Sequence, residues 1–350
     1  MKKIYYITAV FATLFLVGCG DGIDLPGVNV ETDLNKIPLP DNNVNLEQVE
    51  LKPSTEPMLH EGLHTEEDFQ RIRDKKAAGE EPWVSAYQLL VESQFSQKTA
   101  DTYPTEWIKR GISGDENYMN AARGATIAYQ QALRWKIEQD DEYAAKAVEN
   151  LNKWVQTCVG VTGNTNLSLA AGLYGYEFAI AGELLRDYEG WDRADFAAFQ
   201  NWLLKVFYPA NDDFLKRHHD TNALHYWANW CLCNIAAKMA IGIVTDRRDI
   251  YNEGIGHLQT GDTNGRLRRA IYHDYAPDYN FAQWQESGRD QGHTLMCVGL
   301  MGVICQLAWS QGDDFFAYDD NLFMRACEYA ACCNYTNETV PYTTYIWQKQ

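Results

Sequence analysis

Residues 283–309, QWQESGRDQGHTLMCVGLMGVICQLAW, have two halves of opposite character. The second half is apolar almost throughout, with Leu295, Met296, Val298, Leu300, Met301, Val303, Ile304 and Leu307. Such a run reads as a helix buried nearly all round, the core element of a helical domain. The first half gathers Gln285, Glu286, Ser287, Arg289, Asp290, Gln291 and His293 at the mouth of that helix. A helix cap needs only a small polar residue or two. Acid, base and cation together at the end of a rigid element are the makings of a site.

Working outward, the same helical spacing recurs. Thr65-Glu-Glu-Asp68 has the pattern of a capping box. Further helices are predicted over 83–95, 117–139, 142–159, 167–188, 193–207, 222–243, 246–259, 292–311 and 321–333. Turn residues separate them: Gly160, Gly163-Asn164, Glu189-Gly190, Pro209, the 262–265 stretch and Gly312-Asp313. No run with a period of two stands out, and 270–279 reads as a loop. Successive helical hairpins of this length predict an all-α fold, an (α/α) toroid or incomplete barrel. No fixed-period repeat supports a solenoid.

The chain opens with Lys2-Lys3, an apolar stretch to Val17, and Leu16-Val17-Gly18-Cys19. This is a lipoprotein signal peptide over 1–19, with Cys19 as the lipidated residue. Residues 20–57 hold five prolines and many Asn and Asp, the composition of a flexible tether. Residues 58–350 form one large domain. The expected location is lipid-anchored, in the periplasm or at the surface on the outer membrane, with the anchor as the sole membrane contact.

The formal charge of −18 argues against nucleic acid as a partner. Cations still gather locally at Lys216-Arg217, at Arg266, Arg268 and Arg269, and at Arg289. Eight cysteines follow Cys19, mostly within apolar helical patterns, and are expected to be buried thiols rather than bridges.

Candidate chemistry concentrates in two stretches. One is FLKRHHDTNALHYWANW, residues 214–230, with His218, His219, Asp220, Asn222, His225, Tyr226 and Asn229. His218 and His225 are seven apart and could share a helix face if the helix begins early enough. The other is the opening stretch, and between them lie Tyr272, His273, Tyr275 and Tyr279. The histidines match no standard zinc spacing, and no metal or other cofactor is expected. Ser287-Gly288 lacks the nucleophile elbow. Glu177, Glu286, Asp220 and Asp290 could supply the carboxylate pair of a glycosidase. Asn, His, Arg and Tyr together also suit β-elimination on a uronic acid. There donors must neutralise the carboxylate while a base takes the neighbouring proton.

His225-Tyr-Trp-Ala-Asn-Trp230, Val244-Thr-Asp-Arg-Arg-Asp-Ile-Tyr251 and the 283–293 run together resemble the alginate-lyase-like polysaccharide lyases. His64-Thr-Glu-Glu-Asp-Phe and Gly79-Glu-Glu-Pro-Trp83 are similar to that family's N-terminal helices. The resemblance implies an α/α toroid that cleaves alginate or a similar anionic polyuronate. It also implies helices beyond Val340-Pro-Tyr-Thr-Thr-Tyr345, so that this chain is expected to be either a natural short form or an incomplete toroid, which would expose apolar helix faces. Family members carry Asn-Asn-His before Ser-Tyr-Trp. Here the match is Asn222-Ala-Leu-His225-Tyr226-Trp227, with Leu224 at the histidine position. Arg289 and His293 stand where an arginine and a tyrosine base are expected.

The catalytic set implied is His225, Asn222, Tyr272, Arg289 and His293, with Tyr272 the first choice as base and His293 the second. Substrate contacts are assigned to His218, His219, Asn229, Tyr226, Gln285 and Glu286. The competing expectations are a non-catalytic glycan-binding surface lipoprotein and an α/α-barrel glycoside hydrolase.

Overall fold

A computed structural model describes residues 55–336 and 339–345. The signal peptide with Cys19 and the tether up to residue 54 lie outside the described residues.

The capping box forms: the Asp68 amide donates to Thr65 Oγ1 at 3.1 Å, and the Thr65 amide donates to Asp68 Oδ2 at 3.0 Å. It starts α1 (Glu66–Ala77), which is followed by α2 (Trp83–Glu92). The body is then a series of hairpins. In chain order they are β1 (Trp107–Arg110), α3 (Tyr118–Glu138), α4 (Asp141–Thr157), β2 (Gly160–Gly163), α5 (Leu167–Leu184), α6 (Arg193–Val206) and α7 (Tyr208–Arg217). After them come α8 (Ala228–Val244), α9 (Arg248–Gln259), the single turn α10 (Leu267–Ala270), β3 (Ile271–Asp274), β4 (Ala282–Trp284), α11 (Gln291–Ser310) and α12 (Tyr318–Tyr335).

Helices α3, α5, α8 and α11 pack side by side as the inner layer. They run parallel. Tyr118 and Tyr174 stack near the starts of α3 and α5, and Asn229 meets Met296 near the starts of α8 and α11. At the far end Arg186 donates to the carbonyls of Ile243 and Val244, where α5 and α8 stop. Small residues allow the close approach: a Cβ on Gly172 of α5 would lie 2.5 Å from Cys233 Sγ of α8. The buried faces include Phe178, packed ring on ring with Trp154 and Phe207, and Phe199, joined to it through Trp202. Leu295, Met296 and Val303 of α11 remain half-buried, and Trp309 is exposed.

The far end is closed by the chain's own residues 56–64. Arg248 holds the Glu56 carbonyl at 2.7 Å. The Gln311 amide accepts from Leu59 N and donates to the carbonyls of Leu59 and Glu61. His60 lies 3.0 Å from Asp246, and His64 Nε2 lies 2.5 Å from Tyr129 Oη on α3.

Several expectations are corrected. The helix predicted over 222–243 begins only at Ala228; residues 218–227 are a compact turn. His218, His219 and Asp220 all have positive φ (47°, 53° and 58°). Consecutive left-handed residues cost about 1–2 kcal/mol each and break the helix there. His218 and His225 therefore share no helix face. Pro209, read as a break, sits in the first turn of α7, where its missing N–H is harmless. The supposed 270–279 loop begins as β3, antiparallel to β4, while β1 and β2 pair in parallel. The eight described cysteines are free, six of them buried.

Candidate active site

Because the inner helices are parallel, all four N-termini face one mouth. Unpaired amides and aligned peptide dipoles make such an end favourable to anions. The segments entering these helices, β1, β2, the 218–227 turn and β3–β4, form the rim.

At the start of α11, Asp290 caps the helix by accepting from the amides of Gly292 (2.7 Å) and His293 (3.3 Å). Its other oxygen lies 2.6 Å from His293 Nδ1. Burial pulls the Asp290 carboxyl upward, but the bonds from His293 and the helix amides outweigh it and hold the group low. A carboxylate at Nδ1 fixes the imidazole tautomer and leaves Nε2 as the basic nitrogen. The His293 side chain is 20% exposed.

One turn earlier Arg289 pairs with Glu286 and lies over the Trp227 ring, 4.9 Å from its centroid. The Arg289 side chain is 38% exposed, so the guanidinium has both a seat and access. Glu286 is fully buried; desolvation raises its carboxyl, with Arg289 opposing, and Oε1 has no hydrogen-bond partner. Gln285 is also buried. Its Oε1 accepts the Ala228 amide at the start of α8, and its Nε2 donates to Tyr345 Oη.

The 218–227 turn brings a second set alongside. His219 lies between Tyr226 Oη (2.8 Å) and Ser168 Oγ (3.0 Å), and burial lowers its pKa. The His225 ring packs edge-on to Tyr226 at 4.9 Å. His219, Tyr226, His225, Trp227, Arg289 and His293 thus belong to one mouth, linked through the continuous 225–227 segment.

Other candidates are placed elsewhere. Tyr272 is 3% exposed, its hydroxyl donates to the Thr344 carbonyl at 3.0 Å, and burial pushes its pKa up to about 12. In this arrangement its hydroxyl is engaged by backbone, on the side of β3 that faces residues 343–345. His218 is buried against Cys231 Sγ at 3.4 Å, and desolvation lowers it to about 4. Asn229 is buried with Nδ2 toward Met296 Sδ, so it does not line the mouth. Asn222 is exposed and holds its own turn, Oδ1 accepting from the Leu224 amide at 2.8 Å. Gln285 and Glu286 act as buried supports rather than contact surfaces. Among the described residues no group of three His, Cys, Asp or Glu is arranged to hold a metal. The basic clusters are largely neutralised: Arg268 by Asp319, Arg217 by Asp213 and Asp220, Lys216 by Asp212.

Three residues of the mouth lay outside the candidate list. Trp227 was visible in the His225-Tyr-Trp motif. Arg110, buried over the Tyr118 ring at 4.6 Å with Nη1 unpartnered, carried no signal beyond one cation in a strand of four residues. Tyr345 reaches the site from across the chain.

The fold is an α/α toroid, and the family it belongs to makes the protein a polysaccharide lyase. The chain belongs to the alginate lyase family, which matches residues 73–338. Similar solved structures include a histidine-to-alanine variant of alginate lyase A1-III complexed with tetrasaccharide. That match has a TM-score of 0.60 and 14% identity, covering 80% of this chain and 82% of that one. Alginate lyase A1-III from Sphingomonas species A1 gives 0.55 and 13%, over 79% and 80%. An alginate lyase from Bacteroides ovatus gives 0.53 and 14%, over 77% and 82%. At these identities the structures speak for the fold. No curated protein matches the chain.

Proposed function

We propose that the protein cleaves alginate or a similar polyuronate by β-elimination at the mouth of the inner helices. The observation that carries this reading is the pairing, one turn apart at the start of α11, of Arg289 held over Trp227 and His293 held by Asp290. Arg289 binds the uronate carboxylate. With the helix N-termini it stabilises the charge that develops there as the adjacent C–H is broken. His293 Nε2 takes that proton, the C–O bond to the leaving sugar breaks, and a C=C bond forms in the ring that remains. The departing oxygen is protonated by His225 or by Tyr226 through its contact with His219. Every step is proton transfer and bond rearrangement, with no net oxidation. The likeness to a lyase solved with a tetrasaccharide supports a polymeric substrate.

The lipobox at Cys19 supports an exported, lipid-tethered enzyme in the periplasm or at the cell surface, meeting polymer outside the cytoplasm.

The test is incubation with alginate, polyglucuronate, hyaluronan and chondroitin while following ultraviolet absorbance of the unsaturated product. A rise on one polymer identifies both elimination and substrate. Saturated products would mean hydrolysis. Retardation in a polymer gel without turnover would mean a binding protein.

A further inference from the structure

Residues 341–345, Pro-Tyr-Thr-Thr-Tyr, lie along β3 and β4 and are held by side chains that have little else to bond. Gln283, fully buried, accepts from the Thr343 amide at 2.8 Å and donates to the Thr343 carbonyl at 2.7 Å, replacing a strand partner. Tyr275 donates to Gln283 Oε1 at 2.6 Å and lies 3.0 Å from Thr343 Oγ1. Tyr329 donates to the Pro341 carbonyl and Tyr272 to the Thr344 carbonyl. Gly288 makes room for Tyr342: a Cβ there would lie 1.9 Å from the Tyr342 hydroxyl. Without this segment the buried Gln283 amide would lose both bonds to Thr343 and keep only Tyr275 on Oε1, leaving Nε2 unmet at a cost of about 1–3 kcal/mol.

The seat fixes the register. In extended chain, residues two apart share a side, so seating Thr343 on Gln283 delivers Tyr345 to the mouth. There its ring lies 5.3 Å from Trp227 and 4.9 Å from Tyr272, and its hydroxyl accepts from Gln285 at 2.9 Å. Trp227 in turn carries the Arg289 guanidinium. Tyr345 and Trp227 are both half-buried.

We propose that Tyr345 is a substrate-binding residue, forming with Trp227 an aromatic wall against which a uronate ring packs while Arg289 takes its carboxylate. Flat amphipathic rings suit the apolar faces of sugars. The hydrogen bond from Gln285 ties this wall to the first amide of α8, so its position is set by the scaffold. This assignment rests on the lyase reading of the same mouth.

The test compares Tyr345→Ala and Tyr345→Phe with the unaltered protein on the polymer that the absorbance assay identifies. Tyr345→Ala is expected to raise KM about tenfold, the equivalent of one lost contact of about 1.4 kcal/mol, with a smaller change in kcat. Tyr345→Phe keeps the ring and is expected to stay within about twofold of the parent KM, on the same scale. An unchanged KM in Tyr345→Ala overturns the proposal. So does a loss that merely follows a falling melting temperature in both variants. A second measurement needs no variant. Saturating alginate is expected to protect Tyr345 from nitration in the unaltered protein, and full nitration under saturation by a polymer that is cleaved overturns the proposal. If the unaltered protein cleaves none of the polymers, the lyase reading fails first, a result distinct from cleavage that ignores Tyr345.

Discussion

At the closed end of the toroid, helix termini are tied off by side chains. Arg186 takes the last carbonyls of α8 and pairs with Glu183 and Asp246, and Gln311 claims the 59–61 backbone. At the mouth the same helices begin among left-handed residues, a half-exposed guanidinium and a buried carboxylate oxygen without a partner. One end satisfies the fold. The closed end has single left-handed residues, Gln139 and Asp246, but the mouth has three in a row at His218, His219 and Asp220, beside a buried carboxylate oxygen without a partner; such strain persists only where surrounding structure enforces it and clusters at functional sites. The difference is useful because it separates stability from activity by position along one set of helices.

The largest expected effect is at the mouth. His293→Gln keeps size and polarity but removes the base. It should lower kcat about 10²–10⁴-fold, with only a small shift in melting temperature. Measuring product absorbance beside thermal unfolding checks both. A variant that keeps its rate would move the base elsewhere and break the comparison at its centre.

Arg186→Ala is the mirror experiment. It strips the partner from Glu183, itself buried, and should destabilise by about 3–5 kcal/mol. At a temperature where the variant is folded, kcat/KM should match the parent. Denaturant unfolding and initial rates together report this. A selective loss of rate would mean that the closed end reaches into catalysis.

Between the two ends, acid-base behaviour sharpens the contrast. Burial lowers His64, His218 and His257 to about 4. Unfolded histidines bind protons at about pH 6.5, so the unfolded state gains protons first as pH falls from there toward 4, and stability should fall with it. Glu177 on α5 has the opposite sign. Burial raises its carboxyl to about 8, and Oε2 is enclosed without a hydrogen-bond partner. Its contribution is complete below the unfolded value and is lost as pH rises through about 8. Glu177→Gln should therefore be neutral near pH 4, on the scale of unfolded carboxyls, and gain a few degrees over the parent in mildly alkaline buffer. A melting-temperature difference that does not change with pH would show that Glu177 titrates normally.

How much of this was legible in the sequence follows from the range of the interactions. The 283–309 run could be read because its polar head and apolar body are local, and α11 with its Asp290 cap is where the pattern put it. The capping box at Thr65 was equally local. Residues 222–227 were misread as helix because their pattern continues that of the helix after them, and nothing in the residue types of His218, His219 and Asp220 announces three left-handed positions in a row. β3 and β4 are four and three residues long, too short for alternation to register. The Gln283–Thr343 seat joins residues 60 apart, so no window along the chain contains it. Tyr272 was preferred as base for its residue type; its burial and its bond to Thr344 are products of tertiary structure that no residue type announces.

The smallest effect is the sharpest check on the resemblance. Asn222 keeps the place of an asparagine that the family pattern puts beside the substrate carboxylate. Here it is exposed, and its side chain closes its own turn on the Leu224 amide. Its neighbour Leu224 stands at the family's histidine position, while His225 lies one residue on, packed against Tyr226. If the observed turn is the working one, Asn222→Ala removes a single solvent-exposed hydrogen bond. It should then change stability by no more than about 0.5 kcal/mol, and kcat/KM should stay close to that of the parent. A hundredfold fall in kcat/KM with unchanged stability would mean that substrate draws the 218–227 turn inward until Asn222 meets the carboxylate. The strained left-handed residues before it would then act as a hinge, and the mouth would differ from the closed end in motion as well as in polarity.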